Sequence, residues 1–270
     1  MDLAMALEAD AGWDSLRYPV TAEFRLGGAS VKIGNSLTFA VSATGRGARG
    51  EATAAGDPLS YMSAEIRYGD GNTGQGDTFL SFLPEKADDV LNRLTPLPFY
   101  QNCFVCGVER SHPGLKRQFH LWDQPGKITV STAGFATADR DDFYLFRENR
   151  HLHPLPLLAL LDETLGWGGF FLTGSGAVTV RIGYTFYRPV KAHEKLVFFG
   201  RGDRVRGKAG TRMMFWASGG AASVGADGRL EMVASASGQW YGVPELTKQM
   251  KTSLMPRALT ERAFDLADPS

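Results

Sequence analysis

Two adjacent carboxylates, Asp162 and Glu163, interrupt the apolar stretch HLHPLPLLALLDETLGWGGFF at residues 151–171. Leucines recur through it at helical spacing and two prolines suit its first turn, so the pattern predicts a buried helix. Ionised carboxylates are seldom buried without a partner or a chemical role, and apolar surroundings tend to raise their pKa. Small residues neighbour Asp162 on the predicted helix: Ala159, Gly166 and Gly169. We therefore expect another molecule to be able to approach Asp162 closely.

The alternative for Asp162 is a structural salt bridge, for instance with Arg181 or Arg188. Such a pair would neutralise the carboxylate and leave it without a chemical role. A carboxylate with a perturbed pKa beside an open groove is more typical of a functional site. We favour the functional interpretation.

A histidine pair, His151 and His153, precedes the predicted helix. Together with Asp162 or Glu163 it offers ligands of the types that zinc prefers. We favour a role for these histidines in contacting the substrate and predict no metal at this point.

The two cysteines of the chain, Cys103 and Cys106, form a C-x-x-C motif with His112 and His120 downstream. This spacing occurs in zinc sites, but the chain has no second C-x-x-C. We favour a structural role for the pair, in an ordered cap beside the ligand entrance.

Composition excludes several classes of function. The 270 residues are 43% hydrophobic with a formal net charge of zero, which indicates a globular chain and argues against nucleic acid or a membrane surface as the main partner. We expect no membrane-spanning segment, and the acidic start MDLAMALEAD does not resemble a signal peptide. Two cysteines fit a reducing compartment, so we predict a cytoplasmic protein.

Hydrophobic periodicity predicts a helix followed by antiparallel strands, twice over. The first set is a helix within 1–16 and strands near 20–26, 37–43 and 62–68. A short helix at 84–94 and a hairpin over 116–122 and 127–133 follow. The second set is the helix after 153 and strands near 178–186, 196–200, 212–217 and 230–240. After Pro244 we expect a polar tail with one or two helical turns.

The two sets align with each other, which indicates an internal duplication. Gly12-Trp13 matches Gly166-Trp167 at an offset of 154, and Val20-Thr21 matches Val178-Thr179 at an offset of 158. The predicted fold class is therefore α+β, with two repeats. The proposed boundaries are an N-terminal repeat, a linker with the cysteine motif, a C-terminal repeat that carries the site, and a tail: 1–80, 81–115, 116–244 and 245–270.

Three segments resemble the acyl-CoA thioesterases of the hotdog superfamily, in the branch with an upstream cysteine motif. They are NCFVCG at 102–107 followed by HPGL at 112–115, HPLPLLALLDETLGW at 153–167, and FYRPV at 186–190. The resemblance covers roughly residues 102–241. It implies a double hotdog, in which two repeats of a helix on a curved antiparallel sheet form a pseudo-dimer within one chain. It also implies a site where the helix of one repeat faces the other repeat.

The resemblance also implies a reaction. Asp162 takes the position of the family's catalytic acid, as general base or nucleophile, with Glu163 beside it and His153 nine residues upstream. A backbone N–H near the helix start would polarise the thioester carbonyl, but Pro154 has none, and loss of one such donor typically costs about 2.7–4 kcal/mol. The N–H of Leu155 or the ring of His153 are possible replacements.

We therefore expect a thioesterase-like hydrolase for a small acyl or aryl thioester. Coenzyme A would be part of the substrate, and no cofactor is expected. A lyase, hydratase or isomerase that moves protons with Asp162 and His153 is the first alternative. A non-catalytic ligand-binding protein is the second.

Substrate contacts are expected around the helix start and the turn after FYRPV. The candidates are His151, Leu155, Gly166, Arg150 and Lys191. Lys191, near His193 and Lys195, is equally compatible with coenzyme A phosphates and with a solvated hairpin. Glu8 is the repeat counterpart of Asp162 and marks a second, vestigial site. We expect a small-molecule substrate and possible association of double hotdogs into homo-oligomers.

Overall fold

The computed structural model describes residues 18–29, 34, 36–55, 57, 59–69, 86–87, 94–124, 127–132, 147–148, 151–191, 194–208 and 213–267. The predicted helix within 1–16 and most of the predicted helix at 84–94 lie outside these residues. The same holds for two predicted site residues, Glu8 and Arg150.

Thirteen strands and three α-helices are described. The strands are β1 Val20–Leu26, β2 Leu37–Thr44, β3 Gly47–Ala54, β4 Ser60–Tyr68, β5 Leu94–Pro96, β6 His120–Gln124, β7 Lys127–Thr132, β8 Arg147–Glu148, β9 His151–Leu152, β10 Ala177–Phe186, β11 Leu196–Arg206, β12 Met213–Val224 and β13 Leu230–Gly242. The helices are α1 Pro154–Thr173, α2 Pro244–Gln249 and α3 Arg257–Ala267, with a π-helical turn at Met250–Leu254 between the last two.

Eleven of the strands form one sheet, in the order β2-β3-β4-β1-β10-β13-β12-β11-β7-β6-β5. Outward from the antiparallel β1–β10 pair, the strands follow the order β1, β4, β3, β2 on one side and β10, β13, β12, β11 on the other. The two four-stranded sets therefore have the same strand order. In that pair Phe24 lies opposite Ile182, which is also the residue that aligns with Phe24 in the second repeat, 158 positions later in the sequence. A pseudo-twofold axis therefore passes between the two four-stranded sets.

Helix α1 packs across the second set and fills its core. Leu160, Leu161 and Leu165 on α1 are almost fully buried, as the leucine spacing predicts. The helix ends at Gly174, which takes the left-handed conformation (φ +62°) that glycine adopts without strain. A helix on an antiparallel sheet, joined edge to edge to a second four-stranded set, is the double-hotdog architecture, so the predicted α+β fold class is confirmed.

By length and composition alone, α1 is long and apolar enough to cross a membrane. However, 61% of its most apolar window is buried against the rest of the protein, as in the core helix of a soluble protein.

Three elements differ from the sequence predictions. Strand β3, GARGEATA, was not predicted, because its buried positions are alanines and glycines rather than large apolar residues. Strand β5 pairs with β6 and so brings part of the predicted linker into the sheet. The predicted polar tail is mostly helical, and α3 buries Thr260, Ala263 and Ala267.

Candidate active site

Asp162 lies midway along α1 and is held by a threonine of the neighbouring strand. The hydroxyl Oγ1 of Thr179 donates a hydrogen bond to Asp162 Oδ1 at 2.7 Å. Arg181 and Arg188, the alternative partners, pair instead with Glu23 and Glu194. A hydroxyl rather than a guanidinium therefore orients this carboxylate.

Thr179 reaches Asp162 because β10 is irregular at this point. Its register with β13 shifts between Thr179 and Arg181, as in a β-bulge. Strict alternation with Ile182 would direct Val178 toward the core, but Val178 is 42% exposed and Thr179 contacts the helix instead. Bulges often redirect side chains beside active sites. The sequence analysis used Thr179 only to align the repeats and missed this role.

The surroundings of the two carboxylates favour their neutral forms. Burial raises the pKa of Asp162, and the bond from Thr179 offsets only part of this effect. Burial, together with the negative charges of Cys103 and Asp162, raises the pKa of Glu163 to about 8. The sequence-based expectation of raised pKa values at this point of the helix agrees with the structure.

Asp162, Glu163 and Gly166 line a cavity of about 110 Å³ together with Tyr100 and Thr179. At about 30 Å³ per water molecule, this volume holds a few waters or one small organic group. Aromatic and methionine side chains form much of the remaining wall: Trp167, Phe170, Trp240, Met250 and Met255. The two methionines come from the helical C-terminal segment, which the sequence analysis had left out of the site.

A second, larger cavity of about 300 Å³ lies at the N-terminal end of α1 and is lined mainly by apolar side chains. Strands β1–β4 contribute to it, and so do His153, Pro154 and Leu155. Among the described residues it is this cavity, and not the one beside Asp162, that both four-stranded sets line. None of the described residues of β1–β4 lines the cavity beside Asp162. Because residues 1–17 lie outside the described residues, the prediction that Asp162 faces the other repeat stays a prediction.

Asp162 and His153 are not brought together. His153 precedes α1 as its N-cap residue, whereas Asp162 lies about 12 Å along the helix axis from Pro154, and the two residues line different cavities. His153 Nδ1 instead accepts a hydrogen bond from the Leu155 N–H at 3.1 Å and caps the helix. This bond also occupies the N–H that was expected to replace the donor missing at Pro154.

Glu163 faces the cysteine motif. One ligand atom from each of Glu163, Cys103 and Cys106 lies within 4.8 Å of the others. The Cys106 thiol and nearby backbone N–H groups lower the pKa of Cys103 to about 6, although burial opposes this effect. Residues that are nearly 60 positions apart thus form one cluster, which the sequence analysis did not predict. The histidine pair His151 and His153 belongs to no cluster of this kind among the described residues.

The remaining predicted contact residues lie in two places. His151 forms an isolated bridge to Lys191, whose N–H donates to Glu194 Oε1 at 2.9 Å, so both lie near the helix start and away from Asp162. Gly166 is open toward the cavity: a Cβ there would meet only Trp240 Nε1, at 3.9 Å. The position of Gly169 is filled by Phe215 instead, so the predicted groove of small residues is only partly open.

Comparison with solved structures finds proteins of similar shape. The acyl-CoA thioesterase II TesB2 of Mycobacterium marinum is 14% identical with a TM-score of 0.45, over 90% of this chain and 86% of that one. The tesB protein of Mycobacterium avium subspecies paratuberculosis is 14% identical with a TM-score of 0.48, over 90% and 84%. The PaaI protein of the E. coli phenylacetic acid degradation operon is 16% identical with a TM-score of 0.34, over 46% and 79%.

The strand order and the helix across the sheet give this chain a hotdog-type fold. No family model and no curated protein matches the sequence. At these identities the likeness concerns the fold alone, so the roles of individual residues are argued below from the geometry of this chain.

Proposed function

We propose that this protein is a thioesterase-like hydrolase that cleaves a small acyl or aryl thioester, with Asp162 as general base. The observation that carries the proposal is the Asp162–Thr179 hydrogen bond at the wall of a cavity. In its ionised form, a carboxylate fixed in this way can accept a proton from a water molecule in the cavity as that water attacks a thioester carbonyl. The C–S bond then breaks, and the proton passes from the carboxyl group to the departing thiolate, which leaves the acid and the free thiol. Coenzyme A is proposed as the thiol part of the substrate.

The two carboxylate oxygens of Asp162 have different roles in this proposal. Oδ1 accepts the Thr179 hydroxyl, which fixes the plane of the carboxylate. Oδ2 has no hydrogen bond among the described residues and is the oxygen we assign to the attacking water. Orientation of a reacting group lowers the entropic part of the barrier.

The developing negative charge on the carbonyl oxygen needs a donor. Pro154 has no N–H, and the Leu155 N–H is already bonded to His153. Tyr100 lines the same cavity as Asp162, and we assign the donor role to its hydroxyl.

Replacement of Asp162 by asparagine tests the base. We expect thiol release from short acyl- and aryl-CoA thioesters to fall by about 100-fold or more, because general-base catalysis typically contributes about 10²–10⁴-fold. Asp265→Asn, at an exposed position of α3, is the matched control and should retain full activity. Thermal unfolding of both variants monitors the fold. Equal rates for Asp162→Asn and the wild type would refute the proposal.

The size of the cavity adds a second readout to the same assay. A volume of about 110 Å³ accommodates a short acyl or compact aryl group beside Asp162. The rate should therefore decrease as the acyl chain lengthens. A preference for long chains would place the acyl group elsewhere, and Asp162 would then not be beside the reacting carbonyl in the way we propose.

The larger apolar cavity favours one other candidate function, the non-catalytic binding of an apolar ligand. In that case the wild type releases no thiol from the panel, while an apolar fluorescent probe binds equally well to the wild type and to Asp162→Asn. The lyase hypothesis receives less support, because it needs Asp162 and His153 at one substrate and the two residues line different cavities.

A further inference from the structure

The C-x-x-C loop is built as a turn that presents two sulfur atoms. The N–H groups of Val105 and Cys106 both donate to Cys103 Sγ, at 3.3 and 3.4 Å. The N–H of Gly107 donates to the carbonyl oxygen of Cys103 at 3.1 Å. N–H groups directed at a sulfur atom favour its thiolate form, which is the form that binds metals.

Glycine at position 107 is a requirement of this turn. A Cβ there would lie 2.4 Å from the Cys103 carbonyl oxygen and 3.0 Å from that of Gln101. Both atoms belong to the backbone, so any other residue would force the turn open. The motif CFVCG thus specifies one local conformation.

The loop is also held in place from outside. The N–H of Leu115 donates to the Phe104 carbonyl at 2.7 Å, and that of Arg117 donates to the Val105 carbonyl at 2.8 Å. These bonds fasten the two residues between the cysteines to the segment that follows. Cys106 is fully buried, and Cys103 is partly buried. The sulfur atoms are therefore preorganised rather than displayed on a free loop.

Helix α1 supplies the third group. The Glu163 carboxylate and the two sulfur atoms provide ligand atoms within 4.8 Å of one another. Tetrahedral coordination at Zn–S distances of about 2.3 Å and Zn–O distances of about 2.0–2.2 Å separates ligand atoms by less than this. Glu163 also lines the cavity of about 110 Å³, so its carboxylate can be reached by a water molecule in that cavity.

We propose that Cys103, Cys106 and Glu163 form a binding site for a divalent zinc-class cation, with a water molecule from the cavity as the fourth ligand. Two thiolates select soft or borderline cations, and a set of three protein ligands with one open position is typical of zinc sites that remain accessible to small molecules. The ion would fasten the cysteine loop to α1, one residue from Asp162.

Metal content tests the site directly. The wild type, expressed in zinc-supplemented medium and purified without chelator, should carry one zinc ion per chain by elemental analysis. After removal of zinc, titration with Co²⁺ should produce a thiolate-to-cobalt charge-transfer band that saturates at one equivalent.

Single substitutions distinguish cation binding by the three proposed ligands from nonspecific binding at the protein surface. Cys103→Ser, Cys106→Ser and Glu163→Gln should each weaken Co²⁺ binding by at least tenfold. Glu109→Gln, an exposed carboxylate in the same loop, is the matched control and should bind like the wild type. Circular dichroism identifies any variant that fails to fold, and the wild-type titration tests the proposal without any variant.

Three results would overturn the proposal. They are wild-type protein that neither carries zinc nor produces the cobalt band, a Glu163→Gln variant with unchanged affinity, and a Cys103–Cys106 disulfide in protein kept under reducing conditions. Because the chain has two cysteines in all, counting reactive thiols before and after zinc removal reports on this site alone. None of these assays uses a thioester, so they are independent of whether Asp162 is catalytic.

Discussion

At the scale of single residues, one hydrogen bond distinguishes Asp162 from an ordinary buried acid. Thr179 donates to one carboxylate oxygen, and the bulge in β10 is what gives the threonine this direction. An arginine in the same place would have neutralised the carboxylate. The arrangement gives the carboxyl group a fixed orientation without a neutralising cation among the described residues, which suits the proton transfer that we propose.

Replacement of Thr179 by valine should lower kcat and leave KM little changed, because in the proposed mechanism the hydroxyl orients a reacting group. A hydrogen bond to a charged group contributes about 1.5–3 kcal/mol, so a decrease of about 10- to 100-fold is expected. Thr179→Ser keeps the hydroxyl and should recover most of the activity. Equal kcat values for the valine and serine variants would show that Thr179 does not orient the base.

Sequence patterns identified the acid but not its neighbours. Asp162 stands out because a charge interrupts a leucine repeat, a signal that is local in the chain. The partner Thr179 depends on a bulge, and the contact of Glu163 with Cys103 joins residues 60 positions apart. Neither a register shift nor a long-range contact leaves a periodic signal in the sequence, so both required the structure.

At the scale of elements, α1 uses its glycines in different ways. A Cβ at Gly169 would lie 1.8 Å from Cε2 of Phe215, whose ring stacks on Trp240 with a centroid distance of 5.6 Å. A Cβ at Gly168 would lie 2.8 Å from the backbone of Arg201. These glycines allow close packing of the helix on the sheet, whereas Gly166 leaves room at the cavity.

Alanine at Gly169 should therefore destabilise the fold, and alanine at Gly166 should not. Overpacking of a core typically costs about 1–3 kcal/mol, which is our estimate for Gly169→Ala. Gly166→Ala should be neutral or stabilising by up to about 1 kcal/mol, since alanine is the better helix former. Chemical denaturation of the two variants measures the difference. A similar loss of unfolding free energy at both positions would mean that the Phe215 contact does not explain the cost of Gly169→Ala.

The strands that the sequence predicted and those that it did not differ in residue size. Alternating large apolar residues marked β1 and β4, and both were found. The buried positions of β3 and of the second half of β12 are filled by glycine, alanine and serine, which also occur in turns. Small residues allow a neighbouring element to pack closely on the strand. However, they do not produce the alternation of large apolar and polar residues by which a strand is predicted from sequence.

At the scale of the whole molecule, one continuous sheet joins the two four-stranded sets. Across the seam, Arg181 of β10 pairs with Glu23 of β1, which also binds Arg25. On the core side, Phe24 of β1 meets Tyr184 of β10 edge to face at 5.9 Å between ring centroids. The seam therefore has a charged outer face and an aromatic inner face.

The charged face should make the stability of the seam depend on pH. Burial raises the pKa of Glu23, but its bonds to Arg181 and Arg25 outweigh this effect and leave the pKa below the usual glutamate value. The stabilisation is therefore present at neutral pH and is lost as the pH falls below about 4.5 through the lowered pKa. Glu23→Gln should reduce the unfolding free energy by up to about 1 kcal/mol at neutral pH and by less in acid. Glu65→Gln, on the neighbouring strand, is the control. An equal loss of unfolding free energy at neutral and acidic pH for Glu23→Gln would contradict the assignment of this stabilisation to the ion pairs of Glu23.

The antiparallel pairing of β1 with β10 also affects which substitutions the chain can tolerate. Main-chain hydrogen bonds carry that pairing, and they form with almost any side chain except proline. Either half can therefore exchange most of its residues without separating from the other. The pairing of the two four-stranded sets is therefore compatible with many different sequences on either side of the seam.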